Sequence, residues 1–339
     1  MAVAAPSRTD HLGKPSFPEA AAALKTMLED ELAATNEVIL DHLGSQVSLI
    51  PEVATHLIQA GGKRLRPLMA LAAAEISGAG GQNARYLAAA VELIHAATLL
   101  HDDVVDDSAL RRGFKTANVV FGNKESVLVG DFLFARAFEL MVKTGQLPVL
   151  DRLSRASCTI SEGEVLQLET QGNIGATEAM HLDVIRAKTA TLFEAAAQAG
   201  SSACGPSPHA EALASYGANF GIAYQLVDDA LDYGLGGQVR GKSVGDDFRE
   251  RKMTMPVILA YRAARSDEER GFWEAAFGGG EASFEEARRL IDRDRIGEAA
   301  LHHAEGFAEE AVRAAESLPE HPLKEVLVSL AVSSAARPF

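Results

Sequence analysis

Residues 83–108 read NARYLAAAVELIHAATLLHDDVVDDS. As far as Leu100 the stretch is mostly small or apolar. From His101 it turns polar, with Asp102, Asp103, Asp106 and Asp107 within seven residues. A run this long exceeds the length of a strand and reads as a helix. A helix that is apolar around most of its circumference belongs inside a bundle rather than on its surface. Residues four apart on a helix differ by about 40° in direction, and residues three apart by about 60°. Asp102 and Asp106 therefore share a face, with Asp103 close by. Carboxylates gathered in this way repel one another unless a partner intervenes.

The same pattern returns further along the chain. Phe220–Val227 is apolar and is followed by Asp228, Asp229 and Asp232 at the same spacing. One such cluster alone reads as a solvated acidic helix end. Two clusters, each closing a long apolar segment, point to a shared cavity mouth. A hard divalent cation would resolve the repulsion: Mg²⁺ takes one or two carboxylates, substrate phosphate oxygens and water.

The remaining periodicity agrees with an all-α fold. Leu24, Met27, Leu28 and Leu32 mark an amphipathic helix from Glu19 to about Leu43. Further helices are expected over 67–77, 124–143, 150–171, 178–200, 208–233 and 254–265, then over most of the chain to about 335 with a heavily charged outer face. The breaks fall at Gly61-Gly62, Gly78–Gly81, Gly172–Gly175, Gly205–Pro208, Gly234–Gly245 and Gly278–Gly280. Pro67 and Pro256 suit the first turns of their helices. Strands do not alternate with helices, and no short repeat appears. The expected architecture is a flexible lead over residues 1–18 and one large helical bundle with a central cavity over 19–339.

Composition sets the outer limits. The chain has 339 residues, of which 47% are hydrophobic, enough for a sizeable core. Its formal charge of −15 argues against nonspecific nucleic-acid binding, which needs a basic surface. Cys158 and Cys204 are expected to be reduced, buried thiols. The first twenty residues lack a signal-type apolar block, and no run reaches the length of a membrane span. The expected location is cytoplasmic.

Cations accompany the carboxylates. Lys63, Arg64 and Arg66 lie in Gly61-Gly62-Lys63-Arg64-Leu65-Arg66-Pro67, where a glycine pair lets the backbone turn towards an anion. Arg favours bidentate phosphate contact and Lys acts as a point charge. Arg111-Arg112-Gly113 follows the first aspartates directly. His95 stands two turns before Asp102, Lys188-Thr189 interrupts an apolar helix, Gln225 precedes Asp229 by four, and Lys242 and Lys252 flank Asp246-Asp247.

This ordered set, from about residue 40 to 265, resembles the trans-type polyprenyl diphosphate synthases and is closest in kind to their long-chain members. The resemblance implies the isoprenoid synthase helical fold, a homodimer, and Mg²⁺-dependent condensation of isopentenyl diphosphate onto an allylic diphosphate. It implies metal-binding and catalytic roles for Asp102, Asp103, Asp106, Asp228, Asp229 and Asp232, with Arg111, Arg112 and Lys188 also catalytic. Lys63, Arg66, His95 and Arg112 would bind the diphosphate of isopentenyl diphosphate. Arg111, Lys188, Thr189, Gln225 and Lys242 would surround the allylic diphosphate, with Lys252 a further substrate-binding residue.

Product length should follow the depth of an apolar tunnel under the aspartates. The positions one turn above Asp102 are the small Ala97 and Thr98, where a short-chain enzyme would carry aromatics. Since one isoprene unit is comparable with one helical turn, roughly 5 Å, a long product of about C40–C50 is expected, of the kind used for quinone side chains. Phe132, Phe134 and Phe138 are candidates for the tunnel floor. Product release would involve transient membrane contact. The alternatives are a shorter-chain farnesyl or geranylgeranyl diphosphate synthase and a noncatalytic subunit of a heteromeric synthase. A terpene cyclase would not need the Lys63, Arg66 and His95 set. A di-iron protein would need Glu-x-x-His pairs on facing helices, and none stand at the right places.

Overall fold

The computed structural model describes residues 15–59, 61–234 and 244–336. The lead over residues 1–14 lies outside the described residues, as does Lys242. Helix α1 (Phe17–Met27) begins inside the stretch read as lead, and Phe17 is buried. The Glu19 carboxylate accepts from the Ser16 backbone N–H and from its hydroxyl, both at 2.7 Å, which fixes this helix start. Helix α2 (Glu29–Leu43) follows after a break at Leu28, so the single helix expected over 19–43 is two. No Gly or Pro marks the break, and the apolar spacing runs straight through it.

Helices α3 (Leu49–Gln59), α4 (Leu65–Ile76) and α5 (Gln82–Val105) lead to the first aspartates. A short hairpin comes next, β1 (Leu110–Arg111) with β2 (Phe114–Lys115), pairing Arg111 with Phe114. Its two-residue turn is Arg112-Gly113, with φ of 53° and 83°. A hairpin whose two turn residues both have positive φ matches the twist of its strands, and glycine makes the second position cheap. The chain continues as α6 (Ala117–Phe121), α7 (Asn123–Lys143), α8 (Leu147–Thr170) and α9 (Glu178–Ile185). Arg186–Ala190 then widens into a π turn before α10 (Thr191–Ser201), in the middle of what reads as one helix over 178–200. The last elements are α11 (Ala210–Asp232), α12 (Asp246–Arg249), α13 (Met255–Arg262), α14 (Asp267–Gly278), α15 (Phe284–Arg293), α16 (Ile296–Glu316) and α17 (Pro322–Ala335).

The aspartate helices are central, as their composition requires. α5 packs on α4 and α7, and α11 packs on α10 and α16, with α10 also touching α4, α5 and α8. Close approach is possible where glycine meets alanine: a Cβ on Gly200 of α10 would run into the Ala70 carbonyl oxygen of α4. Leu68, Met69, Ala70, Leu71, Ala72, Ala73 and Ala74 of α4 are at most 1% exposed. A second cluster, including Tyr233, Phe248, Val257, Trp273, Phe277 and Leu290, forms the core of the C-terminal helices. Their outer face carries ion pairs such as Arg289–Glu286 and Arg293–Glu269, which add little stability each. Among the described residues no helix is long and apolar enough to cross a membrane. Both cysteines are free and exposed, not buried as expected; Cys158 lies on the outer face of α8, and Cys204 in the turn after α10.

Candidate active site

Helix α5 delivers the first carboxylates at its last turn. Asp103 is only 1% exposed, and its carboxylate accepts from Arg111 Nη2 at 2.7 Å and Nε at 2.9 Å. The Asn118 amide donates to the Asp103 carbonyl at 3.1 Å. Asp103 thus anchors the hairpin to the helix end. Asp102 and Asp106 keep partial access to the cleft, with side chains 16% and 18% exposed. Burial raises the Asp102 carboxyl to about 6; Lys188 opposes the shift at 3.8 Å, and Glu164 and Asp106 add to it. Lys188 itself sits 2.5 Å from Glu164 on α8, a pairing made across the π turn.

The second motif is braced in a parallel way. Asp229 is 4% exposed. Gln225 Nε2 donates to its Oδ1 at 2.8 Å, and His181 Nε2 lies 2.9 Å from its Oδ2. Gln225 in turn accepts from the Thr189 hydroxyl at 3.0 Å. Asp232 accepts from the Asp247 backbone N–H at 2.9 Å, yet burial still raises its carboxyl above the usual range. Asp247 is pushed well up by burial and by the neighbouring Asp229 and Asp232. Lys252 pairs with Asp106 of the first motif at 3.0 Å and with Glu250 at 2.5 Å, and its own segment holds Asp232 through the Asp247 N–H. Burial works against its charge, but Asp106, Asp247 and Glu250 outweigh burial and raise its pKa. Gln167, Lys188, Thr189, Gln225, Asp229, Asp247 and Lys252 line one open cleft of ≈ 660 Å³.

A second group of cations forms beside the first. Arg66 Nη1 lies 3.3 Å from His95 Nε2, and its guanidinium stands 4.4 Å over the Phe193 ring. Burial, with Arg66, Arg111, Arg112 and Arg64 around it, holds His95 well below its ordinary pKa, so the ring is neutral near pH 7. The Lys63 ammonium stands 4.9 Å from the Phe17 ring and 3.5 Å from the Tyr224 hydroxyl. A Cβ on Gly62 would lie 2.7 Å from Arg112 Nη1, so the glycine pair makes room for the hairpin arginine. Arg64 takes a different path: it has positive φ and pairs inward with the half-buried Glu92. Lys63 and Arg66 lie instead against the rings of Phe17, Tyr224 and Phe193.

Among the described residues no three His, Cys, Asp or Glu side chains form a ready metal cage. The donors along the cleft are carboxylate oxygens, and burial already strains the charge on Asp102, Asp232 and Asp247. That donor set fits a hard cation shared with a ligand's phosphate oxygens. Ala97, one turn from the mouth, is fully buried in the main core, and Thr98 is half-buried with its hydroxyl on the His95 carbonyl at 2.8 Å. The expected aromatic floor changes. Phe138 is 38% exposed on the outer face of α7, and Phe134 stacks on His101, 6.1 Å away, at the level of the mouth. Phe132 and Phe134 both pack against the main core.

His181, Glu164 and Tyr224 enter the site without a sequence signal that singles them out as site residues. Their partners lie 24 to 161 positions away.

A profile of the polyprenyl synthetase family matches residues 47–292. The chain is 41% identical over 310 residues to the octaprenyl diphosphate synthase of Escherichia coli K12, covering 91% of this chain and 96% of that one. It is similar in structure to a decaprenyl diphosphate synthase from Rhodobacter capsulatus, with 47% identity and a TM-score of 0.89 over 94% of this chain and 99% of that one. A polyprenyl synthase from Caulobacter crescentus CB15, complexed with calcium and isoprenyl diphosphate, matches with 48% identity and a TM-score of 0.89, covering 94% and 98%.

Proposed function

The chain belongs to the polyprenyl synthetase family, and from that premise we propose that it is a long-chain all-trans polyprenyl diphosphate synthase. It condenses isopentenyl diphosphate repeatedly onto an allylic diphosphate, to a length of about C40–C50 set by the tunnel beside Ala97. The observation that carries this reading is the pair of aspartate motifs joined through the 246–252 segment, where Lys252 pairs with Asp106 and the Asp247 backbone N–H donates to Asp232, beside a separate cluster of Lys63, Arg66, His95 and Arg112. Octaprenyl and decaprenyl synthases among the relatives, and small residues at Ala97 and Thr98, support a long rather than a farnesyl-length product.

In this reading Asp102, Asp106, Asp228 and Asp232 hold Mg²⁺ together with the allylic diphosphate. Asp103 and Asp229 act instead as braces, because Arg111 and the His181–Gln225 pair already take up their oxygens. The calcium and isoprenyl diphosphate held by the Caulobacter relative support a divalent cation at this place. When bound, the cation neutralises charge on the departing diphosphate. Lys188, Thr189, Gln225 and Lys252 line the same anion, and Arg111 stands behind it on Asp103. Lys63, Arg66 and Arg112 fix the second diphosphate, and neutral His95 accepts from Arg66 and turns its other ring nitrogen outward as a donor. The chain's residues thus orient the isopentenyl double bond on the allylic carbon and screen charge; bond formation needs no enzyme nucleophile. The proton lost afterwards goes to the diphosphate.

The apolar outer residues Val127, Leu128, Phe138 and Val142 of α7, with Val165 and Leu168 of α8, support a homodimer formed through this face. We assign the protein to the cytoplasm, with the product passing to membranes as a quinone side-chain precursor. Incorporation of labelled isopentenyl diphosphate into an apolar product should stop in excess chelator and return with Mg²⁺. Undiminished incorporation in chelator would remove the metal role, and no incorporation under any divalent cation would remove the function.

A further inference from the structure

We propose that the Tyr224 hydroxyl is a ligand of the isopentenyl diphosphate, an additional binding residue that sets affinity for this substrate alone. The proposal rests on the reading that Lys63, Arg66 and Arg112 hold that diphosphate. Tyr224 and Gln225 are neighbours on α11, so their side chains leave the helix about 100° apart. Gln225 turns to Asp229 and Thr189, on the side of the allylic diphosphate. Tyr224 turns to the other side. Its hydroxyl lies 3.5 Å from Lys63 Nζ, and its ring stands 5.5 Å from the same ammonium. Phe193, which packs against the Tyr224 ring, carries the Arg66 guanidinium on its face, so the phenol stands beside both Lys63 and Arg66.

The ring is held rather than loose. Phe17, Phe193 and Phe220 lie 5.8, 6.1 and 5.9 Å from it, and Phe193 also carries the Arg66 guanidinium on its face. Phenylalanine would fill this aromatic cluster equally well, and burial of the ring does not call for a hydroxyl. The polar atom acquires a purpose at the cluster's edge. An ammonium group only donates, so the phenol oxygen is the acceptor in the Lys63 contact. The O–H of the phenol is then what it offers to a phosphate oxygen, a hydrogen bond strengthened by the charge of the acceptor.

The test is Tyr224→Phe, which deletes one oxygen and keeps the ring. In steady-state assays of the full chain with Mg²⁺, KM for isopentenyl diphosphate should rise roughly tenfold. KM for the allylic diphosphate and the thermal midpoint should stay at their wild-type values. Equal KM values for isopentenyl diphosphate in the variant and the wild type would overturn the proposal, as would a matching rise for both substrates. If the wild type itself fails to incorporate isopentenyl diphosphate, the underlying function fails, which is a different result.

Discussion

Asp102→Ala should reduce turnover by roughly a thousandfold or more, the scale expected when a group that stabilises developing charge is removed. The helical spectrum should be unchanged, because Asp102 stands at the cleft edge and Asp103 bears the structural contacts to Arg111 and Asn118. Stability should move in the opposite direction. Folding raises the Asp102 pKa from 3.8 to about 6, so the folded state favours the protonated acid. The resulting stability is fully present below pH 3.8 and is lost as pH rises through about 6. At pH 7.5 the charged group therefore weighs against the metal-free fold. Asp102→Asn, which keeps the shape without the charge, should be more stable than the wild type by about 1–3 kcal/mol in chelator. Turnover close to normal in the alanine variant would contradict the assigned metal role. An asparagine variant less stable than the wild type would contradict the strain attributed to burial.

Ala97→Phe should shorten the product by several isoprene units. Ala97 has no exposed surface and stands one turn from the aspartates, where α5 faces α7. A phenylalanine ring there must enter whatever space the growing chain uses. Overpacking a filled core commonly costs about 1–3 kcal/mol, so the thermal midpoint should be recorded alongside product length. A folded, active variant that still makes the wild-type chain would mean that the tunnel does not pass Ala97. Phe138 faces outward, so a row of three buried rings is not present, while Phe132 and Phe134 both pack on the main core.

The helices and both aspartate motifs were legible because their information is local. Apolar residues recur at helical spacing, glycine pairs and prolines mark the ends, and carboxylates three and four apart share a face wherever the helix lies. What escaped depends on distant partners or on backbone detail. Asp103 and Asp106 look equivalent in sequence, yet one is buried on Arg111 and the other meets Lys252, 146 positions away. His181 becomes part of the site only because the fold sets it against Asp229. The π turn that presents Lys188 and Thr189 leaves no compositional mark, nor does the break at Leu28. The hairpin was readable in principle from Arg112-Gly113 as a turn, but strands of two residues are too short for alternation to appear. Cys158 and Cys204 show the limit of residue-type averages: cysteine is usually buried, and neither of these is.

The central claim is that two facing diphosphate sites open onto a tunnel long enough for extended chains. Chromatography of the product made by the purified protein from labelled isopentenyl diphosphate, Mg²⁺ and an allylic primer tests it most directly. A single cluster of products at about C40–C50 is expected, the tunnel depth implied by one isoprene unit per helical turn. Synthesis that stops at farnesyl or geranylgeranyl length would contradict it.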